Sequence, residues 1–385
     1  MSKPDGRTHI VHVVNRLGVG GMENVVIQLV NGLPPARFRH SIIAITEVLP
    51  EIAARIRVAD VGLHALEKNP GQPFWRYPRM YGLLRLLKPD VWHSCNLAAL
   101  EFAPVAWLAG VPWRVHAEHG LEMDELRGRQ PAYRWLRRLY RGCVHAYVAV
   151  SAQIADYLHE RIGVDRKHLH VISNGVDLAR FRPRRADDAA PEGFPFIRGQ
   201  HWVVGTVGRQ EPIKNPLLLV DAFIDLVNAG GVQAASLRLA MIGEGSLHGK
   251  IAQRMQAAGM QERLWLPGNR NDVAEILRSL DCFVLPSISE GTSCTLQEAI
   301  ASGLQIVATD VGGNSAVLDG GRAGKLVASG DSAGLVLALQ ACVRSELPIE
   351  ELRAYAETTH DLGKTMQAYA ALFERRNCDM PELEG

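Results

Sequence analysis

The sequence predicts an α/β protein made of two Rossmann-like, doubly wound parallel-sheet domains of similar size. Three observations carry that expectation. Strand, glycine turn and helix recur in that order along 385 residues. A polar stretch near the middle breaks the alternation, after which it restarts. An apolar content of 47% is enough for full-sized cores.

In the first half, HIVHVVN (9–15) is rich in β-branched residues, LGVGG (17–21) is a turn, and MENVVIQLVNGL (22–33) has apolar residues at helical spacing. HSIIAI (40–45), DVWHS (90–94), WRVHAEH (113–119), AYVAVS (146–151) and HLHVISN (168–174) read as further strands between helical stretches. RFRPRRADDAAPEGFP (180–195) has no periodicity and marks the domain boundary. Then come HWVVGTVG (201–208), a long helix through PLLLVDAFIDLVNAG, and the strands LRLAMIG (237–243), ERLWLPG (262–268), DCFVLPS (281–287) and LQIVATDV (304–311). The expected organisation is a first domain over 1–185, a linker over 186–200 and a second domain over 201–362. A helix over 363–385 either completes the second domain or crosses back to the first. Two such domains facing each other leave a central cleft at the carboxyl ends of their strands, where open α/β sheets bind ligands.

Composition narrows the function classes. A net charge of +1 gives no field directed at nucleic acid. Six scattered cysteines without a CxxC pair, and no signal peptide, fit a reducing cytoplasm. The uncharged stretch FAPVAWLAGVPW (102–113) is well short of the ~20 residues a spanning helix needs, so membrane association is expected to be peripheral. RGRQPAYRWLRRLYRG (127–142) interleaves arginines with aromatics and reads equally as a solvated helix face or as a surface that meets anionic headgroups. No DxD pair, HExxH or cysteine ligand set is present, so no metal is implied, and GxSxG and P-loop patterns are missing.

Several strand exits carry candidate chemistry. In GVGGMENVV (18–26) glycines would let a backbone approach a ligand at a helix start, although a plain tight turn reads the same way. GRQEPIKNP (208–216) places Arg209 and Lys214 after the first strand of the second domain, where two fixed cations suit a diphosphate. In IGEGSL (242–247) the turn at Gly243 allows close packing on a flat ring or a phosphate. In SISEGTSCTLQEAIASG (287–303), Glu290 stands on the loop after a buried strand. Gly291 and Thr292 lead into a helix whose free N–H groups suit a phosphate, and Glu298 lies close enough to the helix start to accept from a ribose diol. The small, mostly apolar run around Glu298 argues against a plain surface acid. His119, in AEHG, and His93, in VWHSCN, each end a strand of the first domain, and single histidines are more often structural than catalytic.

Taken together, EGTSCTLQEAIASG, TDVGGN (309–314), GRQEPIKNP, ISNGVD (172–177), VAVS (148–151), AEHG and VGGME (19–23) resemble, in order over nearly the whole chain, the retaining GT-B glycosyltransferases of family four. NLAALEF (96–102), AEHG and YRWLRRLYRG bring the likeness nearest to the sugar transferases of exosortase-linked (PEP-CTERM) exopolysaccharide clusters. The resemblance implies transfer of a sugar from a nucleotide-diphosphate donor to a glycan or lipid-linked saccharide, with retained configuration, no metal and no permanently bound cofactor. By the same resemblance, Glu290 matches the acid that contacts the donor sugar and Glu298 the one that holds the ribose. Arg209 and Lys214 match the pair that neutralises the leaving diphosphate, and His119 the histidine beside the reacting carbon. Gly20 and Gly21 match a turn close to the diphosphate or acceptor, and Gly312 and Gly313 a loop near the transferred sugar. The chain departs from the family at Gly291-Thr292-Ser293-Cys294, where Gly-Phe-Pro or Gly-Ile-Ser-Asn is usual, which bears on donor choice. Two other readings share the phosphate-handling loops: an epimerase or phosphorylase of the same fold, and a non-catalytic nucleotide-binding partner of a polysaccharide assembly.

Overall fold

The computed structural model describes residues 6–18, 20–69, 73–120, 131–231, 234–345 and 349–374. They divide into two compact units: one runs to Asn174 and takes in the C-terminal segment from Gly363, and the other is Gly175–Leu362.

The first unit is a seven-stranded parallel sheet. Its strands are β1 (Thr8–Val14), β2 (Phe38–Ala44), β3 (Gly62–Ala65), β4 (Val91–Cys95), β5 (Trp113–Glu118), β6 (Ala146–Ala149) and β7 (Leu169–Val171), in spatial order β3-β2-β1-β4-β5-β6-β7. The helices include α1 (Gly21–Gly32), α2 (Tyr77–Leu87), α3 (Asn96–Leu100), α4 (Ala103–Leu108) and α5 (Pro131–Tyr140). Val11, Val13, Ile43 and Trp92 point to one face, where they pack with Met80, Leu84, Phe102, Ala106 and Tyr140 from the helical layer.

The second unit repeats the design with β8 (Trp202–Val207), α6 (Pro216–Asn228), β9 (Leu237–Ile242), α7 (His248–Ala257), β10 (Leu264–Gly268), α8 (Val273–Leu277) and β11 (Cys282–Leu285). It continues through α9 (Cys294–Ala301), β12 (Gln305–Thr309), α10 (Asn314–Val317), β13 (Lys325–Val327), α11 (Ser332–Arg344) and α12 (Ile349–Thr359). Its sheet order is β10-β9-β8-β11-β12-β13. Strands buried on both faces explain the near-continuous Val, Ile, Leu and Ala runs that the sequence shows at each of them.

In both sheets the chain runs outward from a central strand in one direction and then, after returning, in the other. The reversal opens a crevice at the carboxyl ends of β1 and β4 in the first unit and of β8 and β11 in the second.

The domain boundary differs from expectation, and of the two places open to the last helix the structure takes the first unit. The division falls at Asn174–Gly175, ahead of the polar stretch. Phe181 and Phe196 are buried in the core of the second unit and Arg182 pairs with Asp188 at 2.6 Å, so 180–200 is a strap on that unit and not a free linker. The last helix, α13 (Leu362–Glu374), packs on the first unit. There Tyr369 and Phe373 lie against the His93 ring, and Trp113 Nε1 donates to the Leu372 carbonyl at 3.1 Å.

Candidate active site

In the second unit, four loops after β8, β9, β11 and β12 are tied into one cluster, largely by their main chains. Gln210 N donates to Glu244 O at 2.8 Å and Leu247 N to Gln210 O at 2.9 Å, which binds the β8 and β9 loops together. The approach is too close for side chains. At Gly243, with φ +122°, an added Cβ would lie 2.1 Å from Gly208 O, and at Gly245 one would lie 2.5 Å from Gln210 O. Ile288 N donates to Ile213 O at 2.8 Å, bringing the β11 loop against the same turn.

That contact sets Glu290 opposite Lys214. Lys214 Nζ lies 2.6 and 2.8 Å from the two carboxylate oxygens, and Ser287 Oγ donates to Glu290 Oε1 at 2.6 Å. Thr309 Oγ1, at the end of β12, donates to Ser287 O at 2.6 Å and so fixes the serine from behind. The β12 loop closes on the same point: Gly313 N donates to Gly291 O at 2.8 Å, and a Cβ on Gly312, at φ +57°, would lie 1.8 Å from Glu290 O. Ser293 caps α9, accepting from Leu296 N at 3.3 Å, next to the buried Thr292. Glu298, the fifth residue of α9, is buried.

Arg209 stands apart. It is exposed at the carboxyl end of β8, where its charge helps lower the pKa of Glu211, and among the described residues no side-chain hydrogen bond or ion pair holds it. The loops therefore bring Arg209, Lys214, Gly243, Glu290, Gly291, Thr292, Gly312 and Gly313 to the strand-order reversal at β8 and β11, with one exposed cation and one cation shared with a carboxylate. Such a set can bind a polyanion beside a hydroxyl-rich group, because guanidinium and ammonium answer the charge and the carboxylate accepts from hydroxyls. Among the described residues no group of three or more His, Cys, Asp or Glu is placed to hold a metal ion.

In the first unit, His119 follows β5 directly. Its backbone N–H is held at 2.8 Å by Asn96 Oδ1, while both ring nitrogens are shielded from solvent and find no hydrogen-bond partner among the described residues. Burial lowers the His119 pKa to about 4, with Glu118 opposing and His116 assisting, so the ring is neutral near pH 7. Glu118 is fully buried. Burial alone would raise its pKa, but Arg137, at 2.9 and 3.2 Å, and His116 hold it down to about 2. Ser94 Oγ meets His116 Nδ1 at 2.8 Å and extends this chain to β4. Gly20 and Gly21 start α1, and a Cβ on Gly20 would lie 2.2 Å from Glu23 Oε2. Val19, between the glycines of the motif, and residues 121–130 lie outside the described residues.

His93 does not reach a loop. It is the third residue of β4, fully buried, with its Nδ1 3.0 Å from His12 Nδ1, and burial lowers its pKa to about 3. It is a core histidine.

Two functional candidates escaped the sequence reading. Asn96 begins α3 at φ +60°, a left-handed backbone that asparagine tolerates, and this turns its side chain onto the His119 N–H. The available signal was an asparagine placed directly after the strand DVWHSC. Ser287 holds Glu290 from three residues upstream and looked like ordinary loop polarity.

Comparison with known proteins adds the following. Residues 19–180 match the family described as Glycosyltransferase Family 4, and residues 201–345 match Glycosyl transferases group 1. The chain is 28% identical over 264 residues to the UDP-Gal:alpha-D-GlcNAc-diphosphoundecaprenol alpha-1,3-galactosyltransferase of Escherichia coli, covering 68% of each chain. It is 31% identical over 297 residues to the D-inositol 3-phosphate glycosyltransferase of Nocardia farcinica, covering 70% of this chain and 64% of that one. Among solved structures it is similar to Anabaena HepE in complex with UDP and glucose, with a TM-score of 0.76 at 17% identity over 94% of this chain and 98% of that one. At that identity the likeness speaks for the fold.

Proposed function

This chain belongs to the glycosyltransferases of the GT-B fold, group 1 and family 4, and from that premise we propose that it moves a hexose from a UDP- or GDP-linked donor to a saccharide or lipid-linked saccharide. We place the reaction in exopolysaccharide synthesis, on the cytoplasmic face of the membrane, with retention of configuration and without a metal. The observation that carries the reading is the Lys214–Glu290 pair at the same strand-order reversal as the exposed Arg209. A relative named for UDP-Gal and for a diphosphoundecaprenol-linked acceptor supports uridine as the base and a lipid-linked acceptor.

In this mechanism Arg209, Lys214 and the first N–H groups of α9 bind the diphosphate and stabilise the negative charge that grows as the bond from the anomeric carbon to the phosphate oxygen breaks. Glu298 accepts from the ribose hydroxyls. Glu290, already oriented by Ser287, accepts from the hydroxyls of the sugar, and Gly312 and Gly313 leave room for it. The acceptor oxygen attacks from the face the diphosphate leaves, and its proton passes to the departing phosphate oxygen. Both oxygens of Glu290 are held by Lys214 and Ser287, which favours this front-face course over a covalent carboxylate intermediate. The neutral His119 ring of the first unit can offer both a donor and an acceptor to a hydroxyl.

Calorimetric titration of the full chain with UDP, GDP, ADP and TDP, repeated on E298A, tests the donor assignment. Selective binding of one diphosphate that weakens in E298A is the expected result. Failure of all four to bind overturns it.

A further inference from the structure

One helical layer of the first unit has a surface that the transfer reaction does not use. Helices α2, α4 and α5 line the same side of the sheet: α2 packs on α4, α4 on the turn Arg141–Cys143 that ends α5, and their inward residues Met80, Leu84, Ala103, Val105, Ala106 and Tyr140 share one core. Their outward residues break the usual rule for a solvated face. Trp75, just before α2, is 90% exposed, Leu86 78%, Trp107 57%, Leu108 63%, Trp135 61% and Leu139 52%.

The charge is equally one-sided. YPRMYGLLRLL (77–87), APVAWL (103–108) and PAYRWLRRLY (131–140) contain no aspartate or glutamate, yet they carry Arg79, Arg85, Arg134, Arg137 and Arg138. Three of these are committed: Arg137 to Glu118, Arg79 to Glu67 at 3.2 Å, and Arg138 to Arg161 O at 2.9 Å. Among the described residues no hydrogen bond or ion pair holds Arg85, which is exposed, or Arg134, which is half-buried. No helix among the described residues is long and apolar enough to cross a membrane.

We infer that the α2–α4–α5 face is a docking surface for an anionic lipid bilayer. The tryptophans and leucines enter the headgroup boundary, and the free arginines meet lipid phosphates. Exposed indole and leucine side chains over several helices gain by entering that boundary, where an indole keeps a wet N–H and an apolar body. Helices that carry arginine and no acid are attracted to an anionic leaflet by roughly 1 kcal/mol per uncommitted basic residue, about fivefold each. The face extends the membrane contact expected at 127–142 to two helices outside that segment, of which 127–130 lie outside the described residues. It deepens the peripheral location proposed above and depends on that reading only for its biological setting.

The test is co-sedimentation of the full chain, without sugar nucleotide, with vesicles of phosphatidylcholine alone and of phosphatidylcholine mixed with phosphatidylglycerol. Binding is expected only with phosphatidylglycerol, weakening as salt rises. It should fall ~10-fold or more in the combined W75S, W107S and W135S variant and roughly fivefold in R85S and in R134S. Circular dichroism and thermal melting check that each variant folds, and with six exposed positions available, a variant that does not fold is replaced by L86S with L108S. Equal binding to both vesicle types, no binding to either, or undiminished binding by the folded variants overturns the docking surface. The last two outcomes would turn the search to a protein partner with an acidic face. Nucleoside diphosphate binding, measured separately, reports on the transferase reading, so either can fail alone.

Discussion

The two units share a strand order and differ in what they bury. In the second, the core strands are almost wholly apolar and the polar chemistry is carried by loops at their carboxyl ends. In the first, the sheet itself holds His9, His12, His40, His93, His116 and Glu118 inside the fold. His12 links His40 and His93 through ring nitrogens 3.0 Å away on either side, and α13 covers the chain with Tyr369 and Phe373. A loop-borne site can alter its side chains without touching the core, whereas a site resting on buried imidazoles ties activity to the protonation of the interior.

Acid should separate the units most strongly. His40 is neutral with its pKa lowered to about 4 by burial and by His9 and Arg7, His93 is lowered to about 3, and His12 is lowered by burial, His93, His40 and His9. The unfolded chain binds protons at these positions below about pH 6.5, while the folded chain refuses them. Stability of the first unit is therefore full above that pH and lost as pH falls from about 6.5 toward 4. For His40 alone the loss is on the order of 3 kcal/mol. Scanning calorimetry from pH 7.5 down to about 4.5 should show a transition of the first unit that moves to lower temperature ahead of the second. Parallel movement of both would erase the distinction.

Next in size is the loss of a donor in the second unit. R209A and K214A should each lower kcat by ~10²-fold or more, as removing one transition-state donor does. Wild-type rates in both would leave the loop cluster without a role in diphosphate departure. S287A removes a hydrogen bond to a charged group, worth ~1.5–3 kcal/mol, and should lower kcat by ~10-fold or more with little change in nucleotide affinity. A loss confined to affinity would place Ser287 outside the positioning of Glu290.

The smallest effect tests whether the first unit also positions its site through a single contact. N96G relieves the left-handed backbone but deletes the acceptor for His119 N–H, so roughly a fivefold loss in kcat is expected from one neutral hydrogen bond. N96D, which keeps an acceptor, should recover most of it. Wild-type turnover in N96G with a deficit in N96A would make backbone strain, not the hydrogen bond, the function of Asn96.

Much of the fold was legible because buried parallel strands print as apolar runs. GLHA (62–65) and KLV (325–327) were missed because they are short edge strands with little to distinguish them from loop. The polar stretch 180–195 looked like a domain boundary, with a linker over 186–200, because only the spaced Phe181, Phe194 and Phe196 pack inward. At the site, Arg209, Lys214 and Glu290 were legible as charges at strand exits. His93 and His119 looked alike in sequence, yet two more strand residues follow His93 while β5 has already ended at His119. Asn96 and Ser287 depend on a dihedral angle and on a hydrogen bond made after folding, and neither leaves a mark in composition or periodicity.

The glycine contacts of the second unit carry one more consequence. Gly243 on Gly208, Gly245 on Gln210 and Gly312 on Glu290 set the spacing of the loops by main chain against main chain. The spacing of these loops is thus set by the main chain and not by the side chains they carry. On the proposed reading, sugar preference can then diverge through a few substitutions on a frame that stays put, so that new donors are acquired over evolutionary time without moving the groups assigned to departure.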